Sequence, residues 1–156
     1  MKINFIENFL GSGFYTGYIP IASGSFASLL ALLIYFIPGF ENPFIHIPLI
    51  LIFTIYGIFI GNKFDIKFGK DPAECTIDEV VGMWISLLFL PKSLFLSFIA
   101  FLIWRILDII KPSPARNVEK FKGGVGIMAD DIIAGTYTLI IMQLFLLILN
   151  KSNLHF

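Results

Sequence analysis

The sequence predicts an all-α, polytopic membrane protein: a bundle of about four to five membrane helices with a short N-terminal helix at the membrane surface. Three observations lead to this class. The 156 residues are 57% hydrophobic and only 14% charged, whereas a soluble domain carries about 25% charged residues. The mean hydropathy is +0.87. The apolar residues also form uncharged runs of nearly the length that crosses a hydrocarbon core of ~30 Å.

Composition limits the function classes. The length suits one domain covering residues 1–156. Eleven basic residues balance eleven acidic ones, so no bulk positive charge attracts nucleic acid and no nucleic-acid partner is expected. Cys75 is the single cysteine, which excludes an internal disulfide and a four-cysteine zinc site.

The N-terminal segment predicts a short amphipathic helix rather than a secretory signal. Its polar face carries Glu7 together with two asparagines. Its apolar face is formed by Ile3, Ile6, Phe9 and Leu10. Such a pattern is typical of a helix that lies among lipid headgroups.

Five apolar runs follow, at residues 21–37, 44–61, 80–90, 93–104 and 132–149. Each predicts a helix in the membrane, because charged side chains are absent from most of their length. The run at 80–90 is short and ends at a proline, so a re-entrant path is left open for it.

The basic residues set the orientation. If all five runs cross, nine basic residues lie on one side of the membrane and two on the other. The positive side is cytoplasmic, which places the N-terminus and the loops around 62–78 and 105–126 in the cytoplasm. Lys63, Lys67 and Lys70 are expected to determine topology or to contact lipid headgroups.

Acidic residues gather at the same face. Asp78 and Glu79 begin the third run, Asp108 ends the fourth, and Asp130 and Asp131 stand just before the fifth. Ionisable groups at a membrane edge are costly unless they are paired, hydrated or metal-bound. A hard divalent cation such as Mg²⁺, which prefers oxygen ligands, would neutralise them.

Basic side chains lie close to these acids. Arg105 and Lys111 flank Asp108 at a spacing of three, and Arg116 follows a proline-rich turn. Together with a metal they would suit a phosphate ligand. The alternative is that Arg105 and Asp108 simply pair with each other.

Two further segments are weaker candidates. The glycine-rich stretch at 123–126 is expected to turn backbone N–H groups toward an anion. Ser25 and Ser28 share a helix face with small residues. That face predicts either helix packing or a role in the site.

The known phosphatase signatures are missing, which leaves one type of chemistry. Neither His46 nor His155 lies near the basic cluster, and Val81 stands where a cysteine phosphatase based on Cys75 needs arginine. What remains is metal-assisted attack by water, with a carboxylate as general base.

Three blocks resemble the phosphatidylglycerophosphatase A family. The first is Asp-Glu-x-x-Gly-Met-Trp at 78–84, the second runs from the Arg-Ile-Leu-Asp at 105–108 to Arg116, and the third covers 123–135 with its Asp-Asp pair. Their order and spacing match. A fourth block departs from the family, because Ala27 stands in place of a glycine between Ser25 and Ser28.

The resemblance implies Mg²⁺-dependent hydrolysis of phosphatidylglycerophosphate to phosphatidylglycerol and phosphate, in phosphatidylglycerol biosynthesis. It also implies a bacterial cytoplasmic membrane, a site facing the cytoplasm and a phospholipid substrate. No protein partner is implied, and a homo-oligomer is left open.

The resemblance also implies residue roles. Four acids would be catalytic and would bind metal: Asp78, Glu79, Asp130 and Asp131. Asp108 would be a further metal ligand. The substrate phosphate would be held by Arg105, Lys111, Arg116, Ser25 and Ser28. The competing hypotheses are a small cation-binding transporter component, whose acids would line a path across the membrane, and a non-catalytic scaffold, whose acids would pair off and leave no pocket.

Overall fold

A computed structural model describes residues 2–118 and 120–151, and this part of the chain is helical without any strand. The predicted all-α class is confirmed. His155 lies outside the described residues. A 3-10 helix at Thr16–Tyr18 accompanies seven α-helices: α1 (Phe5–Gly11), α2 (Ser23–Tyr35), α3 (Pro43–Phe68), α4 (Ile77–Ser86), α5 (Leu94–Ile110), α6 (Ala115–Val118) and α7 (Gly124–Lys151).

Two of the described helices are long and apolar enough to cross a membrane. Helices α3 and α7 contain 26 and 28 residues, which correspond to about 39 and 42 Å at 1.5 Å per residue. Only 28% and 22% of their apolar windows are buried inside the protein. Their apolar side chains therefore face outward, unlike those of a core helix in a soluble protein.

Helix α4 is the centre of the bundle. Nine of its ten residues are buried, and it packs against α2, α3, α5 and α7. Trp84 donates its indole N–H to the carbonyl of Ala31 in α2 (3.1 Å) and packs edge-on against Phe53 of α3. At about 15 Å the helix is too short to cross a bilayer alone.

The bundle has two distinct ends. At one end, the Tyr35 hydroxyl donates to the carbonyl of Leu90 (2.8 Å) and the Lys92 ammonium contacts Glu41 (2.7 Å). These contacts join the α2–α3 loop to the α4–α5 turn. The start of α4 and the end of α5 consequently lie together at the opposite end.

Helices α3 and α7 approach closely through glycines. A Cβ on Gly61 would lie 2.7 Å from the Cα of Gly124, and one on Gly124 would collide with the carbonyl of Ile58. The N–H of Gly124 donates to the Asn62 side chain (2.9 Å). Gly124, within the 123–126 stretch, thus serves helix packing. Its N–H is already bonded to Asn62, so the expected contact with an anion is wrong for this group.

Helix α1 is fixed to α3 by a buried ion pair. The Lys63 ammonium donates to the Glu7 carboxylate, and both residues are less than one-tenth exposed. Glu7 also forms a reciprocal capping box with Asn4. The expected headgroup contact of Lys63 is therefore wrong, and Glu7 of the predicted polar face is buried while Asn4 is exposed. Phe5 and Ile6 of the same helix are exposed as well.

The ion pair makes stability depend on pH. The hydrogen bond from Lys63 and the capping bond to Asn4 hold the pKa of Glu7 below its ordinary value. A lowered folded-state pKa stabilises the protein above the unfolded pKa of ~4.3, and this stabilisation is lost as the pH falls through the folded value.

We expect Glu7→Gln to destabilise the fold by about 3 kcal/mol at pH 7, because Lys63 is left buried without its counter-charge. Thermal unfolding in detergent measures this. The difference from the unsubstituted protein shrinks as the pH is lowered through the depressed folded-state pKa of Glu7. Glu41→Gln is the control, since the Glu41–Lys92 pair is more exposed and solvent screening leaves such a pair with little effect on stability. Equal losses of stability in the two variants would contradict a special contribution of the buried Glu7–Lys63 pair.

Candidate active site

The acidic residues converge in one cavity at the end of the bundle away from the Lys92–Glu41 contact. Its volume is about 270 Å³, whereas a single water needs only ~10–15 Å³ on the same measure. The cavity has space for a hydrated cation and a phosphate group. It is lined by Asp71, Asp78, Glu79, Asp108, Ile109, Lys111, Asp130 and Asp131.

Three helices contribute the five predicted acids. Asp78 and Glu79 lie in the first turn of α4, and Asp108 lies in the last turn of α5, as the sequence predicts. Asp130 and Asp131 lie about two turns inside α7 rather than before it. The effect of the helix dipole falls off within the first turn, so packing of α7 against α4 sets the position of this pair.

Three carboxylates form the tightest group. One oxygen from each of Asp78, Glu79 and Asp131 lies within 4.8 Å of the other two. Two Mg–O bonds of ~2.1 Å span about 4.2 Å, so small side-chain movements would bring all three onto one ion. Each carboxylate also has a buried oxygen without a hydrogen-bond partner among the described residues. This donor set fits a hard divalent cation.

Burial and like charges act on the two acids of α4. Burial raises the pKa of Asp78 well above its usual value, and the neighbouring Glu79 charge raises it further. Burial also raises the pKa of Glu79, although a hydrogen bond with Asp78 opposes this. A cation would favour the ionised forms, because it supplies the missing opposite charge.

The basic residues at the cavity are already engaged with acids. Arg105 pairs with Asp108 (2.9 Å), and the Lys111 ammonium contacts Asp130 (2.6 Å). The ion pair between Arg105 and Asp108 is therefore present, and the phosphate contact of Arg105 stays a prediction. Arg105 still has an Nε atom without a hydrogen-bond partner in the described part of the chain. Arg116 lies exposed in α6, outside the cavity lining.

The two serines of α2 do not line the cavity. Ser28 is fully buried and donates to the carbonyl of Gly24 (2.6 Å), so its hydroxyl bonds within the helix. Ser25 is partly buried. Gly24 is the residue of this segment that touches the site, since a Cβ there would collide with the Glu79 carboxylate.

Asp71 is a cavity residue that the sequence reasoning missed. It stands in the α3–α4 loop with φ at +49°, a left-handed conformation that aspartate tolerates better than most residues. One feature of the sequence could have identified Asp71: it is an acid in the loop that was predicted to lie at the same membrane face as the other acids.

Fold and cavity together define a class: a helical protein with two apolar helices of membrane-spanning length and a carboxylate-lined cavity at one end of the bundle. Comparison with known proteins gives the class its chemistry. The model of the phosphatidylglycerophosphatase A family matches residues 9–146. No solved structure matches the chain.

Curated relatives agree with the family model. A Bacteroides thetaiotaomicron protein provisionally named phosphatidylinositol-3-phosphatase is 39% identical over 89% of this chain and 92% of its own length. Proteins named phosphatidylglycerophosphatase A from Escherichia coli K12 and Haemophilus influenzae are 33% and 34% identical. They cover 86% and 85% of this chain, and 80% and 84% of their own lengths.

The chain belongs to the phosphatidylglycerophosphatase A family. It is a phosphatase, as the sequence predicted, which removes the basis for a non-catalytic scaffold or a transporter component.

We expect Gly24→Ala to lower phosphatase activity at least ~10-fold without unfolding the protein, because the added methyl group displaces the Glu79 carboxylate from the cavity. Phosphate release and thermal unfolding are measured in parallel. Phe26→Ala, which alters an exposed side chain of the same helix, is the control and should retain activity. Full activity of Gly24→Ala would contradict the placement of Glu79.

Proposed function

We propose that the protein is a Mg²⁺-dependent lipid phosphatase that converts phosphatidylglycerophosphate into phosphatidylglycerol and inorganic phosphate. One observation carries this proposal. In a chain of this family, Asp78, Glu79 and Asp131 bring oxygens within 4.8 Å of one another inside a cavity large enough for a phosphate group.

The chemistry follows from the cavity side chains. Asp78, Glu79 and Asp131 would hold Mg²⁺, which when bound polarises the phosphoryl group and neutralises its charge. Lys111, which lines the cavity, would orient the phosphate through charge-assisted hydrogen bonds, and Arg105 would do so from its position beside Asp108. A cavity carboxylate accepts a proton from the attacking water. The water oxygen bonds to phosphorus, the ester P–O bond breaks, and the lipid alcohol leaves with a proton.

The proposed setting is a bacterial cytoplasmic membrane crossed several times. Helices α2 and α5 would lie in the bilayer beside α3 and α7, with α4 enclosed among them. The cavity would face the cytoplasm, since the basic loops lie at its end of the bundle. The substrate phosphate would then reach the carboxylates at headgroup depth, while the acyl chains stay in the lipid.

The name of the Bacteroides relative supports a second lipid for comparison, phosphatidylinositol 3-phosphate. Both lipids are phosphomonoesters, so the same carboxylate and ammonium groups suit either phosphate. The alcohol that carries the phosphate is the difference to be tested.

The test is phosphate release by the full chain in detergent with short-chain phosphatidylglycerophosphate and, in parallel, phosphatidylinositol 3-phosphate. We expect faster hydrolysis of the first lipid, Mg²⁺ dependence and loss of activity in excess chelator. Asp78→Asn and Asp131→Asn should each lower activity by about 100-fold or more, since even outer groups around a metal contribute 10–100-fold.

Glu74→Gln is the matched control. Glu74 is an acid in the loop directly before α4, and it does not line the cavity. It should keep near-normal activity. Full activity of the protein in excess chelator, or of Asp78→Asn, would overturn the proposed mechanism. A preference for the inositol lipid would change the substrate and leave the mechanism standing.

Lys111 gives a separate test of phosphate binding. We expect Lys111→Met to raise KM about 10-fold or more, because a hydrogen bond to a charged group contributes ~1.5–3 kcal/mol. Lys111→Arg, which keeps the positive charge, should restore part of the affinity. Steady-state kinetics with the preferred lipid measures both values. An unchanged KM for Lys111→Met would place the phosphate elsewhere.

A further inference from the structure

One wall of the cavity differs chemically from the others. Of the described residues that line the cavity, seven are charged and Ile109 is the apolar one. Ile109 lies in the last turn of α5, directly after Asp108, and is 73% exposed. A side chain that lines a cavity and is also largely exposed lies at the rim of that cavity. The cavity therefore opens past an apolar side chain on the α5 side.

The rim also has a polar side. Asp71, in the α3–α4 loop, is the other exposed residue of the described lining. Covering a charged rim residue with hydrocarbon costs free energy, because the charge loses its hydration. Covering Ile109 carries no such cost. The rim thus offers an aqueous approach on the loop side and an apolar approach on the α5 side.

The apolar approach continues along α5. Phe98, Leu102 and Ile106 precede Ile109 at spacings of four, four and three residues, and all of them are exposed. At 3.6 residues per turn these side chains fall within an arc of about 80°, so the four residues form one stripe, the α5 stripe. The stripe is about 17 Å long at 1.5 Å per residue. This length is close to half of a ~30 Å hydrocarbon core, the depth that the acyl chains of one leaflet fill.

A larger apolar groove lies on α3 but does not reach the cavity. Ile52, Ile55, Tyr56 and Phe59 line a space of about 570 Å³. None of these residues lines the acidic cavity. Membrane helices carry apolar side chains toward lipid in any case, so exposure alone does not identify a surface for substrate. Continuity with the cavity through Ile109 distinguishes the α5 stripe from the α3 groove.

We propose that the substrate lipid enters the cavity laterally from the membrane along the α5 stripe. One acyl chain lies on the stripe, Ile109 contacts the glycerol backbone where that chain begins, and the phosphate reaches the carboxylates. This inference rests on the proposed lipid phosphatase function and deepens it. Ile109 thereby becomes a substrate-contact residue that favours phosphomonoesters carrying acyl chains over water-soluble ones.

Photolabelling tests the path without requiring turnover. The full chain in detergent is incubated with a phosphonate analogue of phosphatidylglycerophosphate, which is not hydrolysed and which carries a diazirine near the acyl carbonyl. After irradiation, mass spectrometry maps the labelled residues. We expect labelling in the last two turns of α5. This labelling should be lost in an excess of the same phosphonate without the diazirine, and it should persist in an equal excess of phosphatidylglycerol, which lacks the terminal phosphate.

The α3 groove is the internal control for this experiment. Any labelling at residues 52–59 should respond equally to the two competitors, because lipid contacts there are independent of the phosphate. Labelling that depends on the terminal phosphate but lies on α2, α3 or α7 and not on α5 would overturn the proposal. The same conclusion follows if labelling of α5 responds equally to both competitors.

Ile109→Asn tests the contact by kinetics. Covering an amide with hydrocarbon without a hydrogen bond is costly enough to lower kcat/KM for short-chain phosphatidylglycerophosphate by about 10-fold or more. Inhibition by inorganic phosphate, which has no acyl chain, should keep the same Ki. Ile55→Asn is the matched control, because Ile55 is a similarly exposed isoleucine of the α3 groove, and it should retain activity.

Thermal unfolding of both variants is measured in parallel, and rates are expressed per folded protein. An unchanged kcat/KM in Ile109→Asn would overturn the role of Ile109. Equal losses in the two variants would indicate a general effect of polar groups on the lipid-facing surface, and a changed Ki for phosphate would indicate a damaged cavity. Either of these results would overturn that role as well.

The path and the reaction fail independently. Phosphate-dependent labelling of α5 without hydrolysis of either lipid would overturn the proposed function and leave the entry path standing. Hydrolysis by a protein that is labelled elsewhere would do the reverse.

Discussion

Mutual repulsion among buried carboxylates is the constraint on which this structure depends. Asp78, Glu79 and Asp131 come from two helices and meet with oxygens within 4.8 Å, in surroundings where charge is poorly screened. Apolar packing must hold these side chains together against that repulsion. The largely buried packing surface of α4 performs this task, because a short helix that packs against four others has little freedom to move its first turn outward.

The close helix approaches serve the same purpose. Gly124 permits α7 to lie against α3 at the end of the bundle that carries the cavity, and Gly24 permits α2 to lie against the Glu79 carboxylate. At both positions a methyl group would occupy space that is already filled. The shape of the cavity therefore depends on the missing side chains of Gly24 and Gly124 as well as on the acids that line it.

The sequence was sufficient for the helices and for most of the acids. Uncharged apolar runs indicate helices that are buried in lipid or in the core. The distribution of basic residues predicted the orientation, and that orientation predicted that the acids share one face. The start of α7 was misplaced because its glycines resemble a loop, whereas packing on α3 makes the segment helical. Lys63 was misassigned because its partner Glu7 lies 56 positions away, a distance at which sequence patterns give no information about pairing.

Asp71 and the serines show a second kind of limit. An acid in a polar loop is indistinguishable from an ordinary solvated residue until the fold shows which cavity it faces. A serine in a stripe of small residues has two satisfactory explanations, and only the bond from Ser28 to Gly24 selects packing. Pattern analysis identifies residue types suited to a chemistry, but tertiary contacts decide which of them are available for it.

The enclosure of α4 has a consequence for how the protein would tolerate change. The apolar side chains that would contact lipid lie on the outward faces of α3 and α7, so a change in membrane thickness would act on those helices before it reached the acidic cavity. The outer faces would accept exchanges among apolar residues, whereas nine of the ten positions of the central helix are buried and restricted by their neighbours. The surface that would adapt to a different membrane is thus separate from the helix that holds the acids in place.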